Sequence, residues 1–383
     1  MRILFFILFL SSLYNSQVIK DSILGRPKFI KEQVVFLNDS SPFTFMKGDS
    51  EYGHAVIMIP KFLRERMSKT WFETNFCRYI NNETHYDENR KIIKETWYYK
   101  SGKIVDSYNY EYDLSGRLKK EISKNDYSED TKLYFYEGKN KIPRFEKSTY
   151  KIKNDPIKFY LRDNKEFDNL SVSKFDSISK TDSIFSITNK YMKNIGERSY
   201  TSATDTIYRP RLTKVKIYDD FFRVVKEKIF EPNDYTLNKV FFNNEISYEY
   251  DPSGRIIKIA RLNDDQYHNF LLKSNGKYDE DIKPGRTASN STTEYSFNSN
   301  GYLHSMTHFY QGKISNQICF EYENNHIKKL FYIDTWGKKD DILKPNIITF
   351  KYKFDKYDNW IECIKNVDGK DLYVWKRQIE YYK

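Results

Sequence analysis

One unit recurs along this chain and limits what it can fold into: two aromatics separated by a single residue, then Asp or Asn, then a turn. The clearest copy is Tyr248-Glu249-Tyr250-Asp251-Pro252-Ser253-Gly254-Arg255-Ile256. A second is Tyr110-Glu111-Tyr112-Asp113-Leu114-Ser115-Gly116-Arg117-Leu118, and a third is Tyr295-Ser296-Phe297-Asn298-Ser299-Asn300-Gly301-Tyr302-Leu303. A fourth, altered in the turn, begins at Tyr352-Lys353-Phe354-Asp355, and weaker copies sit at Tyr86-Asp87, Tyr218-Asp219 and Phe320-Glu321-Tyr322. Aromatics two residues apart lie on one face of a strand, and the Glu, Lys or Ser between them lies on the other. The Asp or Asn opens a turn with its side-chain acceptor. Asp251-Pro252-Ser253-Gly254 suits a type I turn, and Gly254 supplies the positive φ and the bulge that close such hairpins. Phe222 and Asp358 stand where Gly is expected, so those two turns are expected to differ.

Between copies, shorter junctions split strand-like runs: Lys100-Ser101-Gly102, Glu137-Gly138, Gln311-Gly312, Asn324-Asn325 and Asp368-Gly369. Gly and Asn tolerate the positive φ that two-residue hairpin turns demand. At the C-terminal end, strands are expected over 347–354, 360–367 and 372–382. In the last, Tyr373, Trp375, Ile379 and Tyr381 share one face, while Val374, Lys376, Gln378 and Glu380 share the other. The fold class that follows is mainly β: an extended, twisted antiparallel sheet of successive hairpins with little helix. Composition agrees. Aromatics make up 17 % of the residues, which excludes disorder over most of the chain and favours strands.

Three parts are expected. Met1-Arg2 followed by an apolar run from Ile3 to Leu13 reads as a signal peptide over 1–16, with cleavage between Ser16 and Gln17. That run is shorter than the roughly 20 residues a spanning helix needs, and no later segment is apolar enough to cross as a helix. Residues 17–74 lack the unit and hold one short candidate helix at 60–67, with Pro60 near its start. Residues 75–383 form the repeat region, interrupted by a long polar loop at 263–291. The protein is therefore expected to be exported: periplasmic, on the outer surface, or secreted.

Lys and Arg number 64 against 53 Asp and Glu, a formal charge of +11. The charges are spread evenly, and only 17 of the basic residues are Arg, the side chain best suited to bidentate phosphate contact. Solvated strand faces account for the excess, and nucleic acid is not an expected partner. Cys77, Cys319 and Cys363 are too few for a disulfide framework. They read as buried thiols, although export would permit one bridge, such as Cys319–Cys363. No phosphate loop, H-E-x-x-H, G-x-S-x-G or EF-hand motif is present. His304 and His308 would lie about 13 Å apart on a regular strand, too far to share a metal. No cofactor and no metal site is expected, and no catalytic residue can be named.

The units at Tyr250-Asp251 with Gly254-Arg255, and at Tyr112-Asp113 with Gly116-Arg117, resemble those of YD-repeat (RHS-like) proteins. The run from Asp355 to Trp360 and the ending Arg377-Gln378-Ile379-Glu380-Tyr381-Tyr382 are similar to the tails of small secreted repeat proteins of Bacteroidota. The resemblance covers roughly residues 75–383. It implies one hairpin after another in an extended sheet. Long members of that family wrap the sheet into a shell around a toxin, but this chain is far shorter and shows no toxin segment, so an open sheet is expected. The repeat itself carries no catalytic residue.

The aromatic face is the most suggestive surface. Tyr110, Tyr112, Tyr248, Tyr250, Tyr295, Phe297, Phe320, Tyr322, Tyr352 and Phe354 recur from hairpin to hairpin and would align as ladders. They serve either as core or as a platform that stacks sugar rings or a protein partner. The function expected is a non-enzymatic scaffold or binding module at the cell envelope or outside it, with a protein or glycan partner on a concave sheet face. The alternatives are a secreted hydrolase-like enzyme with a carboxylate or His site, and an accessory protein of a toxin system.

Overall fold

The computed structural model describes residues 23–37, 81–99, 101–141, 143–152, 166–189, 211–232, 240–263, 289–335 and 345–383. The candidate signal peptide, the candidate helix at 60–67, Cys77 and nearly all of the 263–291 loop lie outside these residues.

The described residues form strands joined by turns, with no helix. In chain order the strands are β1 (Pro27–Phe36), β2 (Asn81–Tyr86), β3 (Ile92–Tyr98), β4 (Ile104–Tyr112), β5 (Leu118–Lys124), β6 (Ser128–Phe135) and β7 (Phe145–Ile152). Next come β8 (Glu166–Asp176), β9 (Thr181–Asn189), β10 (Arg211–Tyr218), β11 (Val224–Pro232), β12 (Val240–Tyr250), β13 (Ile256–Asn263) and β14 (Ser289–Phe297). The last are β15 (Leu303–Tyr310), β16 (Lys313–Glu323), β17 (His326–Asp334), β18 (Asn346–Phe354), β19 (Trp360–Val367) and β20 (Lys370–Tyr381).

From β2 to β20 every strand pairs antiparallel with the next in sequence. β1 then pairs antiparallel with both β20 and β2, so the 20 strands close into a ring. This corrects the expectation of an open sheet. Hairpins alone would leave β2 and β20 as unpaired edges. A strand from the segment that lacks the unit fills that place and removes both edges.

Register divides the ring into two walls. Ile30, Val34, Trp97, Tyr108, Tyr110, Met306, Ile318, Phe320, Leu330, Ile348, Phe350, Cys363, Tyr373 and Trp375 share one wall and are buried. The other carries cross-strand ion pairs, among them Lys31–Glu83, Lys120–Glu111, Lys226–Glu245 and Lys353–Glu362. A closed ring can bury a wall against itself only on the concave side, so the wall of buried aromatics faces inward, together with the pairs Lys214–Glu227 and Glu32–Arg377, and the wall of these cross-strand pairs faces outward, together with Phe135, Phe145 and Phe331. Burial is deepest over β15–β20 and β1–β4. Over β5–β13 the inner wall is mostly half-buried.

The rims differ as well. The turns that join each even strand to the following odd one lie at one rim and are tight, apart from the nine-residue link 136–144 between β6 and β7. The long connections, over 37–80, 153–165, 190–210, 233–239, 264–288 and 336–345, all leave from the opposite rim.

Candidate functional site

The repeated unit builds the rim of tight turns. In the six copies that carry it, the Asp or Asn accepts backbone N–H groups two and four residues on, as Asp219 does from Phe221 and Arg223. The residue three places on has positive φ: Arg90 65°, Gly116 78°, Phe222 58°, Gly254 80°, Gly301 82°, Asp358 64°. Phe222 and Asp358 therefore adopt the same turn as the glycines, which corrects the expectation that they would differ. The cap and the bulge dictate the backbone, and the side chain absorbs the strain. Of the two-residue junctions, Gln311-Gly312, Asn324-Asn325 and Asp368-Gly369 have positive φ at both positions, whereas Glu137-Gly138 lies within the link 136–144 and only Gly138 has positive φ, which corrects its reading as a hairpin turn.

The residue after each turn and the aromatic of the next hairpin then interlock. Arg117 returns to Asp113 and lies 4.4 Å over the Tyr136 ring, whose hydroxyl donates to the Leu118 carbonyl at 2.7 Å. Arg223 returns to Asp219 and lies 4.5 Å over Tyr250, whose hydroxyl donates to Val224 at 2.7 Å. Lys91 covers Tyr112, which donates to Ile92. Tyr302 stacks on Tyr322, which donates to Leu303. His326 lies against Tyr352, which donates to Ile327. Phe297 takes the stack from Arg255 but has no hydroxyl to donate.

The ten aromatics read from the sequence therefore all lie along the inner wall and its rim. Tyr110 and Phe320 are buried, and Tyr110 donates to Glu95 at 2.6 Å. Tyr112, Tyr248, Tyr250, Tyr295, Phe297, Tyr322 and Tyr352 are half-buried. Phe354 is exposed at the rim. Burial pushes the Tyr295 hydroxyl up to about 12, against the opposing charge of Arg261.

Sequence reasoning missed a second feature on the inner wall of β4–β7. Register brings Glu121 opposite Lys132, Asp130 opposite Ser123 and Tyr150, and Glu146 opposite Tyr134. Tyr134 donates to Glu121 at 3.3 Å. Asn125 donates to Asp106, whose carboxyl is pushed up by burial against that hydrogen bond. Burial also pushes up Asp130 and Glu146. Lys132 opposes this in both, and the neighbouring carboxylates reinforce it. Among the described residues, Asp130 Oδ1 is buried without a hydrogen-bond partner. Such a wall can accept hydrogen bonds from hydroxyls, and its raised acids can hold a proton. No local signal could have found it, because its carboxylates come from four strands and only register assembles them.

The remaining candidates separate. Cys319 and Cys363 are free thiols that lie on opposite walls. His308 meets Thr293 at 3.0 Å, while His304 is exposed at a bulge. Among the described residues no group of three His, Cys, Asp or Glu side chains could hold a metal ion. Among them, too, no helix is long and apolar enough to cross a membrane.

No family model and no curated protein matches the chain. Solved structures that align with it include the following three. A porin-like protein from Bacteroides uniformis is 9 % identical, over 92 % of this chain and 98 % of its own, at a TM-score of 0.23. A porin-like protein from Bacteroides vulgatus is 12 % identical, over 75 % of this chain and 93 % of its own, also at 0.23. TcdB2-TccC3-TEV is 11 % identical, over 74 % of this chain and 19 % of its own, at 0.15.

Proposed function

We propose that this protein is an exported, non-enzymatic binding module of the cell envelope or the cell exterior, built as a water-facing β-ring that takes a glycan or a polar protein segment along its inner wall. One observation carries the reading: register turns the pairs Lys31–Glu83, Lys120–Glu111, Lys226–Glu245 and Lys353–Glu362 outward and the buried aromatics Trp97, Tyr108, Tyr110, Phe320, Phe350, Tyr373 and Trp375 inward. A lipid-facing barrel needs the reverse, an apolar outer band, and each Lys at the bilayer midplane of such a barrel costs about 2–4 kcal/mol. Lys31, Lys120, Lys226 and Lys353 all stand on the outer wall, so the ring is read as sitting in water. The apolar start of the chain supports export. The interlocked rim supports the YD-repeat reading, because the aromatics, the capping Asp or Asn and the residue after the turn each have contacts to make.

The ligand is assigned to β4–β7 because this inner wall is half-buried and rich in acceptors, whereas the wall over β15–β20 is filled by its own side chains. Tyrosine rings offer stacking faces, carboxylates accept hydroxyl hydrogen bonds, and the unpartnered Asp130 Oδ1 provides an acceptor in need of a donor. The test is a glycan array and an envelope pull-down with the full mature chain, alongside Glu121→Gln and Asp130→Asn. Binding that these variants weaken supports the reading; ligands held equally well by both variants, or none at micromolar protein, would refute it. A hydrolase-like role is the second reading, favoured by the raised acids Asp130 and Glu146 beside Lys132. Turnover of a polysaccharide that Glu146→Gln abolishes would establish it.

A further inference from the structure

We infer that β1 is an exchangeable closing strand, and that the groove between β20 and β2 accepts the β1 of a second copy of this chain. β1 makes a nine-pair ladder with β20 and a five-pair ladder with β2. Its ends are clamped. The Leu24 backbone both donates to and accepts from Asn359, the Tyr382 N–H donates to the Arg26 carbonyl, and the Leu37 N–H donates to the Leu372 carbonyl. On its inner side Ile30, Glu32 and Val34 are buried, and Glu32 accepts from Arg377 Nε at 2.6 Å. The groove is thus specific in backbone, charge and shape.

The covalent attachment of β1 is unlike that of the other strands. It has no chain link to β20, which follows β19 and ends the sheet. Its link to β2 runs through residues 37–80, whereas neighbouring antiparallel strands need only about two to five residues between them. A chain of that length can extend for roughly 100 Å or more, so the connection does not dictate which ring β1 enters. A ring without β1 exposes two unpaired edges, each a template for an added strand. Two copies that trade β1 satisfy every edge, and the reciprocal exchange closes a two-fold dimer.

Full-length chains test this. In a Cys77→Ser, Cys319→Ser background, Val35→Cys is placed in one chain and Val374→Cys in another, at positions that face each other on the outer wall. The two are unfolded together, refolded over a range of concentrations and oxidised. Exchange gives an interchain disulfide whose yield rises with concentration, while one chain carrying both cysteines bridges internally at high dilution. Internal bridging without any interchain product at any concentration would overturn the inference. Should the cysteine variants fail to fold, a fluorescent peptide of residues 24–37 is refolded with the unmodified chain. Saturable incorporation is expected, weakened roughly tenfold or more by Glu32→Lys, which sets a cation against Arg377; no saturable incorporation, or incorporation indifferent to Glu32→Lys, would overturn it.

Discussion

The ion pair between Glu32 and Arg377 ties the first described strand to the last, and its burial makes its energetic role measurable. The two side chains are only 12 % and 6 % exposed and meet at 2.6 Å. The Arg377 guanidinium lies 3.3 Å from the Trp360 ring centroid and 5.3 Å from that of Trp375. Removing one member of a buried pair leaves the other desolvated and uncompensated, which typically costs about 3–5 kcal/mol. Glu32→Ala should lose that much, with little response to added salt, because buried pairs are weakly screened. Replacing both members with apolar side chains, Glu32→Leu with Arg377→Met, should recover most of the loss, since no stranded charge remains. Glu362→Ala is the control. Its partner Lys353 is 70 % exposed, and surface pairs contribute about 0–1 kcal/mol. Urea unfolding followed by tryptophan fluorescence reads the unmodified protein, Glu32→Ala, the singles Glu32→Leu and Arg377→Met, their double, and Glu362→Ala, with Trp360 and Trp375 as reporters beside the pair. A Glu32→Ala loss below about 1 kcal/mol, or a double variant as unstable as the sum of its two singles, would refute the reasoning.

Three further outcomes are expected at the rim of tight turns. Phe222→Gly should stabilise by about 1 kcal/mol, by relieving a positive φ that costs an L-residue about that much; Gly254→Ala should lose a similar amount, and thermal melts compare the two. Tyr250→Phe should cost about 1 kcal/mol for its hydrogen bond to Val224, and Phe297→Tyr should gain a comparable amount by supplying the hydroxyl missing from that hairpin, both read by denaturant midpoint. Acid unfolding should involve the turn aspartates. Burial pushes Asp219 and Asp251 up, but hydrogen bonds from the Arg223 or Arg255 backbone and guanidinium, together with the arginine charge, outweigh it and hold both below the ordinary 3.8. A lowered folded-state pKa gives stability that is fully present above the unfolded value and lost as pH falls through the folded one, so Asp251→Asn should flatten the acid limb of a stability-versus-pH curve.

The hairpins were legible because their causes are local. Asp251 caps a turn four residues long, Gly254 permits its φ, and the alternation through Tyr248 and Tyr250 needs no distant partner. The last three strands were read nearly to their ends, and the two faces of 372–382 fall where the alternation put them. Phe222 was misread because a turn's backbone can override the preference of one residue, at a cost that the sequence does not display.

What the sequence determined by itself was a β meander with two unlike faces. What only the tertiary structure decided was the closure of that meander by β1, the choice of the aromatic face as the inner one, and the meeting of Glu121, Asp130 and Glu146 beside Lys132. The physical reason is sequence distance. A strand's period and a turn's φ are set within about ten residues, whereas Leu24 meets Asn359 across 335 positions. Nothing local to either residue specifies the other until twist and register bring the ends of the sheet together.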